Sequence, residues 1–477
     1  MTTHPLVVDL DGTLVHTDML HESALQLLRD APLAVLRIPG WLMQGKAQLK
    51  QHLAARCPVD PAGLPYNTEL LQWLQAQRAA GRKLILCTAS DRQLAQPIAD
   101  HLGLFDEVMA SDGQINLAGA AKAAALVQRF GPAGFDYAGN SSADVPVWQH
   151  ARRAIVVSAS AALVDQARAC CELEKHIQPP VAGLAIWLRM LRTHQWLKNV
   201  LLCVPLLGAH KLTDTALWLS LAMAFVAFGL CASAVYVTND LLDLHSDRHH
   251  PHKRTRALAA GTVAAWQGVL LAPVLLAAGL ALAAQVTPGF LGWMLCYVGV
   301  TSAYSLWIKR LLLIDCLVLA SLYMLRVVAG AAAVNFGLTF WLLAFSGFLF
   351  LSLAFVKRYA ELSLHSQHGT APSTRRAYRV SDAPLVQTLG VTSGVAAAVL
   401  LALYLNSDAV LRLYRTPALM WAAVPVLLFW ISWMWMQAHR GAMHDDPLVF
   451  AVKDRASLWS GAAFAGALAL GSLGWAG

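Results

Sequence analysis

From residue 183 onward the chain is a succession of apolar runs about twenty residues long, separated by short polar loops. A helix of that length spans the roughly 30 Å hydrocarbon core of a bilayer, and soluble folds seldom string such runs together. Nine candidate spans stand near 196–210, 215–238, 263–284, 287–306, 311–333, 337–356, 384–405, 417–437 and 456–475, the first of them short. Loops around 240–262, 307–310, 357–383 and 438–455 carry fourteen Lys and Arg, against Lys211, Arg412 and Arg415 in the intervening loops. Basic loops stay on the cytoplasmic side, so the first set is expected there, and an odd number of spans sends the C-terminus to the opposite face.

Residues 1–178 have the mixed composition of a globular domain. Over all 477 residues, 57% are hydrophobic and 13% charged, which excludes an ordinary soluble enzyme. The net charge of +8 comes from the loops between spans. Membrane topology accounts for it, and no nucleic-acid partner is expected. Eight cysteines without metal-ligand spacing, four of them in apolar runs, argue against a disulfide framework. No signal peptide is expected, because residues 6–10 are a short apolar run ending in acids, so the N-terminal domain should stay in the cytoplasm. The Pro179-Pro180 pair divides the chain into a soluble domain (1–178), a linker and membrane-entry segment (179–195) and a membrane domain (196–477).

Within the soluble domain, short apolar runs at 5–10, 83–88, 107–109, 135–138 and 154–157 alternate with helical segments, the pattern of a parallel sheet covered by helices. A mostly helical insert, about 19–66, separates the first two runs. Val7-Val8-Asp9-Leu10-Asp11-Gly12-Thr13 is a strand ending in two acids, at the sheet edge where α/β folds bind ligands. One acid can attack phosphorus while the other moves a proton, although a plain strand-to-loop turn explains D-x-D as well. Leu84–Thr88 is a second strand, ending in a hydroxyl. Lys122 begins a helix, and Tyr137–Asp144 ends a third strand in a polar, magnesium-suited loop. In this order and spacing, residues 5–160 resemble the haloacid dehalogenase (HAD) phosphatase superfamily, an α/β Rossmann-like fold. The resemblance implies Asp9 as nucleophile and Asp11 as general acid/base. It makes Thr88 and Lys122 phosphate binders, assigns magnesium to Asp9, Asp11, Asn140 and Asp144, and makes the insert a small helical cap. Asn140 departs from the family, which usually has an acid there, and a scaffold without catalysis is the alternative.

In the membrane half, residues 239–256 place Asp240, Asp243 and Asp247 at the end of an apolar run, followed by Arg248, Lys253, Arg254 and Arg256. A charge at the centre of a membrane helix costs roughly 2.5–3.5 kcal/mol even on insertion scales, so such a cluster needs a use. Spacings of three and four put the aspartates on one helical face, where they can share a divalent cation, and the bases after them suit phosphate. Farther on, Arg326 lies inside a span, with Asp315 eleven residues earlier on the same face as its possible partner. A structural ion pair and a phosphate site are both open for it.

Asn239-Asp240-x-x-Asp243-x-x-x-Asp247, at the end of the second span, resembles the first aspartate-rich motif of the UbiA superfamily of intramembrane prenyltransferases, an all-α membrane fold. Tyr304–Lys309 with Asp315 matches a thin version of its second motif. Arg192–Asn199, D-R-x-H-P-x-K-x-x-R, Lys357-Arg358-Tyr359-Ala360-Glu361-Leu362, Met443–Pro447 and Lys453–Arg455 are similar to the polyprenyl-phosphate phosphoribosyltransferase branch, which includes decaprenyl-phosphate phosphoribosyltransferases. Ala257 and Leu258 depart slightly, where that branch often has proline. The resemblance implies phosphoribosyl diphosphate as donor, polyprenyl phosphate as acceptor, and magnesium on Asp240, Asp243 and Asp247, the first two catalytic. Binding roles fall to Arg192, Lys198, Asn199, Asn239, Arg248, Lys253, Arg254, Arg256, Tyr304, Lys309, Asp315, Arg326, Lys357 and Arg358. Two polyanionic substrates account for so many bases. An aromatic prenyltransferase, or an active transferase with a regulatory HAD domain, is the alternative, and the oligomeric state is left open.

Overall fold

The computed structural model describes residues 4–209, 211, 213–250, 253–367, 377–408, 410, 416–443 and 446–473. Arg412 and Arg415, used above for topology, and Pro251, His444 and Asp445 of the quoted motifs lie outside the described residues. The chain forms two compact units, Met1–Leu191 with Tyr236–Ala272, and Arg192–Val235 with Pro273–Gly477.

In the first unit, six parallel strands are ordered β3-β2-β1-β4-β5-β6: β1 (Leu6–Val8), β2 (Leu84–Asp91), β3 (Glu107–Ser111), β4 (Asp136–Gly139), β5 (Arg153–Val157) and β6 (Glu172–Ile177). Alternation along the strands fills two cores. Leu6, Val8, Leu84 and Leu86 face one side, while Val7, Ile85, Tyr137 and Val156 face the other. Each fully buried aliphatic side chain contributes about 1.5–3 kcal/mol. Five strands coincide with the predicted apolar runs. The sixth, at one edge, escapes the sequence because its Glu172, Glu174 and Lys175 interrupt any apolar pattern. Val7 pairs with both Ile85 and Tyr137, which sets the carboxyl ends of β1, β2 and β4 side by side.

The helical insert leaves after β1 and returns where Val15 bridges Tyr66. Its main helices are Met19–Asp30 and Lys46–Ala54. Asp18 caps the first, accepting from Leu20 N at 2.8 Å. The same unit includes the C-terminal turns of the Thr215–Leu242 helix and the loop after it. There Val237, Leu241, Leu244, Leu258 and Val263 form a small core with Met190, against which Leu25 of the insert packs.

The second unit is all helix. Its main core joins Tyr323 and Val327 of Ile314–Ala333, Leu353 and Val356 of Phe340–Gln367, Leu401 of Ala383–Leu405, and Met434 and Trp435 of Ala423–His439. Small residues let these helices close up: a Cβ on Gly390 would lie 2.2 Å from the Trp435 ring. Among the described residues, seven helices in the whole chain are long and apolar enough to cross a membrane, and Arg455–Leu473 adds a further apolar helix. The about nine spans expected are therefore close. The expected span at 196–210 differs most, because Thr193–Cys203 forms 3-10 turns and Val204–Gly208 only a short helix. Pro205 lacks the N–H that a continuous helix would use, and Lys198 and Asn199 turn inward. The chain is a multi-pass membrane protein with an α/β domain at its N-terminal side.

Candidate active sites

The carboxyl ends of β1, β2 and β4 gather one cluster. Lys122 Nζ donates to Asp9 Oδ1 at 2.7 Å and bonds the Tyr137 hydroxyl at 2.9 Å; that hydroxyl donates to Asp144 Oδ1 at 2.7 Å. Asp144 Oδ2 accepts the N–H groups of Asn140 and Ser141, each at 3.0 Å, which shapes the β4 loop. Asp11 Oδ2 accepts from Ser90 Oγ at 2.6 Å and Thr88 Oγ1 at 3.3 Å, and its Oδ1 from Met19 N at 2.8 Å. Gly12 turns the chain at φ +74°, and a Cβ there would lie 2.1 Å from Asn140 Nδ2, so the Asn140 amide sits directly on the Asp9–Asp11 turn.

Burial pushes the Asp9 carboxyl up to about 7, although Lys122 pulls it down. Burial, then the nearby Asp18, also raises Asp11. Two buried carboxyls held high call for more positive charge than Lys122 supplies. The donors at hand, carboxylates and one amide, are all oxygen, the set that suits magnesium. The insert adds a residue no motif marks: Lys50 Nζ donates to Ala89 O at 2.6 Å and Asn116 Oδ1 at 3.0 Å, within electrostatic reach of Asp9 and Asp11.

A second cluster, also in the first unit, is the acid-rich segment. Its aspartates do not share one continuous helix: Thr215–Leu242 ends before Asp243, and a new short helix runs Leu244–Arg248. This corrects the single helical face expected above. Hydrogen bonding within the break, Ser246 Oγ to the Asp243 carbonyl at 2.9 Å, turns the chain there. Asp240 Oδ1 and Asp247 Oδ2 nevertheless converge, both accepting from Arg256 Nη1, at 2.9 and 2.6 Å. Two buried carboxylates on one cationic nitrogen form a pair built to hold positive charge. Among the described residues no three His, Cys, Asp or Glu side chains form a ready metal cage. Magnesium, however, needs only one or two carboxylates when phosphates complete its shell, so the pair fits it. Lys253 lies 3.9 Å from Asp247 Oδ1, and Arg254 is exposed on the same 3-10 turn. Arg248 gives both terminal nitrogens to Glu22, at 3.0 and 2.7 Å, rather than standing open to phosphate.

The second unit holds a cationic cluster of its own. Lys198 and Lys357 both reach Asp446 Oδ2, at 2.7 and 3.2 Å, and the Tyr323 hydroxyl donates to the same carboxylate at 2.8 Å. Arg326, buried in its helix, donates to Asn199 Oδ1 at 3.3 Å, Tyr297 Oη at 3.1 Å and Leu322 O at 2.6 Å. The Asp315 partner considered for it is not made. Eleven residues rise about 16 Å along a helix, so a shared face does not bring the two into contact. Asp315 instead pairs with Arg358 and accepts from Tyr378 Oη at 2.7 Å. Tyr304 lies within electrostatic reach of Arg358 and Lys357. Arg192 opens the second unit in a left-handed conformation, φ +52°; Asn239 precedes Asp240 in the last turn of the Thr215–Leu242 helix, and Lys309 sits on the 308–310 turn. Asp446 was quoted only as part of a motif. Its role as shared counter-ion rests on Lys198, 248 residues away in sequence.

In one chain, an all-helical membrane domain is joined to an α/β domain, with acids and bases gathered in three clusters. Residues 200–461 match the UbiA prenyltransferase family, and residues 6–149 match the haloacid dehalogenase-like hydrolases. The chain belongs to the UbiA prenyltransferase family and carries a haloacid dehalogenase-like domain ahead of it, as the resemblances implied. The uncharacterized protein y4nM of Sinorhizobium fredii is 37% identical over 98% of this chain and 90% of its own length. The decaprenyl-phosphate phosphoribosyltransferase of Mycobacterium tuberculosis is 38% identical over 46% of this chain and 74% of its own. A solved UbiA homolog from Archaeoglobus fulgidus, bound to GPP and Mg2+, is 15% identical, with a TM-score of 0.44 over 60% of this chain and 99% of that one.

Proposed function

We propose that the membrane domain transfers 5-phosphoribose from phosphoribosyl diphosphate to a polyprenyl phosphate, and that the HAD domain then removes the 5-phosphate. The observation that carries the reading is Arg326. This buried guanidinium, inside a membrane helix, donates to neutral groups among the described residues. A desolvated cation without a carboxylate is costly unless an anion completes it, and both proposed substrates are polyanions. The likeness to the mycobacterial phosphoribosyltransferase supports the same reading.

In the transfer, an oxygen of the polyprenyl phosphate forms a bond to the anomeric carbon of ribose as the bond from that carbon to diphosphate breaks. Magnesium, held by Asp240 and Asp247 with Asp243 beside them, would supply charge neutralisation for the leaving diphosphate. Arg256, already bound to both carboxylates, would move onto phosphate when substrate arrives, with Lys253 and Arg254 next to it. Lys198, Lys357 and Arg326 would hold anionic oxygens in the second unit.

In the HAD domain, magnesium would be held by Asp9, Asn140 and Asp144 and would neutralise the phosphoryl group. Asp9 attacks phosphorus and the ribose 5-oxygen leaves, taking a proton from Asp11. Water then cleaves the acyl phosphate, with Asp11 accepting its proton, and phosphate is released. Lys122 favours the ionised form of Asp9 against burial and meets the phosphoryl oxygens, and Thr88 offers its hydroxyl. The basic loops would hold both sites at the cytoplasmic face of the inner membrane.

The test is incubation of membranes containing the protein with labelled phosphoribosyl diphosphate and polyprenyl phosphate. Wild type should yield labelled lipid without its 5-phosphate, Asp9→Asn the lipid that retains it, and Asp240→Asn no labelled lipid. An Asp9→Asn protein that still releases phosphate from the lipid at the wild-type rate would sink the phosphatase step. Transfer of a prenyl group to an aromatic acceptor, with no use of phosphoribosyl diphosphate, would sink the whole reading.

A further inference from the structure

The basic segment after the aspartates is gripped from the soluble side. Glu22, one turn into the Met19–Asp30 helix, accepts Arg248 with both carboxylate oxygens. The side chains are 9% and 7% exposed, so water screens the pair little. Thr17 Oγ1 donates to Glu22 Oε1 at 2.5 Å and fixes the carboxylate from behind. With its terminal nitrogens held, the guanidinium directs Nε to the carbonyl of Ala259, at 3.0 Å. One side chain thereby ties residue 248 to residue 259 and closes the segment that carries Lys253, Arg254 and Arg256.

Other contacts support the same grip. Leu25, on the same helix as Glu22, packs on the core of Leu241, Leu244 and Leu258. His249 Nε2 meets Asp60 Oδ2 at 2.7 Å, and a Cβ on Gly63 would lie 2.6 Å from the His249 ring. Gly261 adopts φ +70° and approaches His16 so closely that a Cβ would lie 2.9 Å from the His16 carbonyl oxygen. The phosphatase-like domain meets this loop at both ends.

We infer that Glu22 of the HAD domain is a positioning residue for the transferase reaction: through Arg248 it holds the 248–259 segment so that Arg256 stands between Asp240 and Asp247. The HAD domain is then a structural part of the donor site as well as an enzyme in its own right. Arg248, in turn, orders the loop and does not itself bind phosphate. This inference rests on the phosphoribosyl-transfer reading for its kinetic consequence, while the grip on the loop stands apart from it.

The experiment compares full-length wild type, Glu22→Gln, Arg248→Gln and the double variant in membranes. Three quantities are measured: KM and kcat for phosphoribosyl diphosphate, phosphatase rate on a soluble sugar phosphate, and tryptic cleavage at Lys253 and Arg254. Each single variant should raise KM about tenfold while changing kcat little, the loss of one charge-assisted contact. The double variant should cost no more than either single, since both break one pair. Cleavage should quicken in all three variants, with phosphatase activity retained. If Glu22→Gln fails to fold, seen as loss of phosphatase activity, Arg248→Gln carries the comparison. Unchanged KM and cleavage in the singles, or additive costs in the double, overturn the inference. If wild type forms no labelled lipid, the function reading fails, and the cleavage rates alone decide: faster in the variants supports the grip, unchanged refutes it.

Discussion

Lys198 and Asp446 meet at 2.7 Å although 248 residues separate them, and Lys357 comes to the same oxygen at 3.2 Å. Asp446 thus counters two lysines at once. Asp446→Asn should cost about 3–5 kcal/mol, the usual result of removing one partner of a buried ion pair. Thermal unfolding in detergent would read this as a lower Tm, together with lost transfer. Lys357→Gln should be milder, because its side chain is 30% exposed against 9% for Lys198.

Asp9 is the nucleophile of the proposed phosphatase step, and Lys122 is its buried counter-ion. Asp9→Asn should lower phosphate release by about a thousandfold or more while transfer continues. Chelation of magnesium should stop both reactions in the wild-type protein, and restored magnesium should bring both back. Release of phosphate that persists in chelator would count against an oxygen-ligated metal at Asp9, Asn140 and Asp144.

Gly12 combines a left-handed φ of +74° with a place where a Cβ would strike the Asn140 amide. Gly12→Ala should therefore displace Asn140 and strain the backbone by about 1–3 kcal/mol. The expected outcome is a large loss of phosphatase activity with transfer little altered, measured on the same membranes.

Asp136, fully buried on β4, takes Arg82 on one side and Arg152 on the other, with Arg152 Nη2 at 2.6 Å. Asp136→Ala leaves Arg82 with Glu174 as its remaining carboxylate and takes the buried partner from Arg152, and should destabilise the α/β domain by about 3 kcal/mol. Arg152→Ala should cost less, since that side chain is 35% exposed and Arg82 still answers the carboxylate. Proteolysis of the N-terminal domain within the full chain would rank the two.

Much of this could be read from local pattern. The five apolar runs became strands because a strand packed under helices must bury apolar side chains, and Asp9, Thr88 and Asn140 followed towards their carboxyl ends. β6 gave no such sign, since an edge strand can carry Glu172, Glu174 and Lys175 on its open side. Arg326 announced itself by standing in an apolar run, but its partners Asn199 and Tyr297 belong to other segments. Helical phase named Asp315 instead, for phase records direction around an axis and not distance along it. Lys50 and Glu22 look like ordinary surface residues of a helical insert until the insert is docked.

Taken by itself, the sequence determined a membrane-spanning helical half, a parallel α/β half, and the acids and bases available to each. Hydrophobic length and periodicity are local properties, so a linear reading captures them. Tertiary structure alone decided which charge meets which: Glu22 with Arg248, Asp446 with Lys198 and Lys357, and Arg256 between Asp240 and Asp247. Such pairs depend on where distant segments are packed, and burial makes each of them matter, because a charge removed from water must find its partner inside the protein.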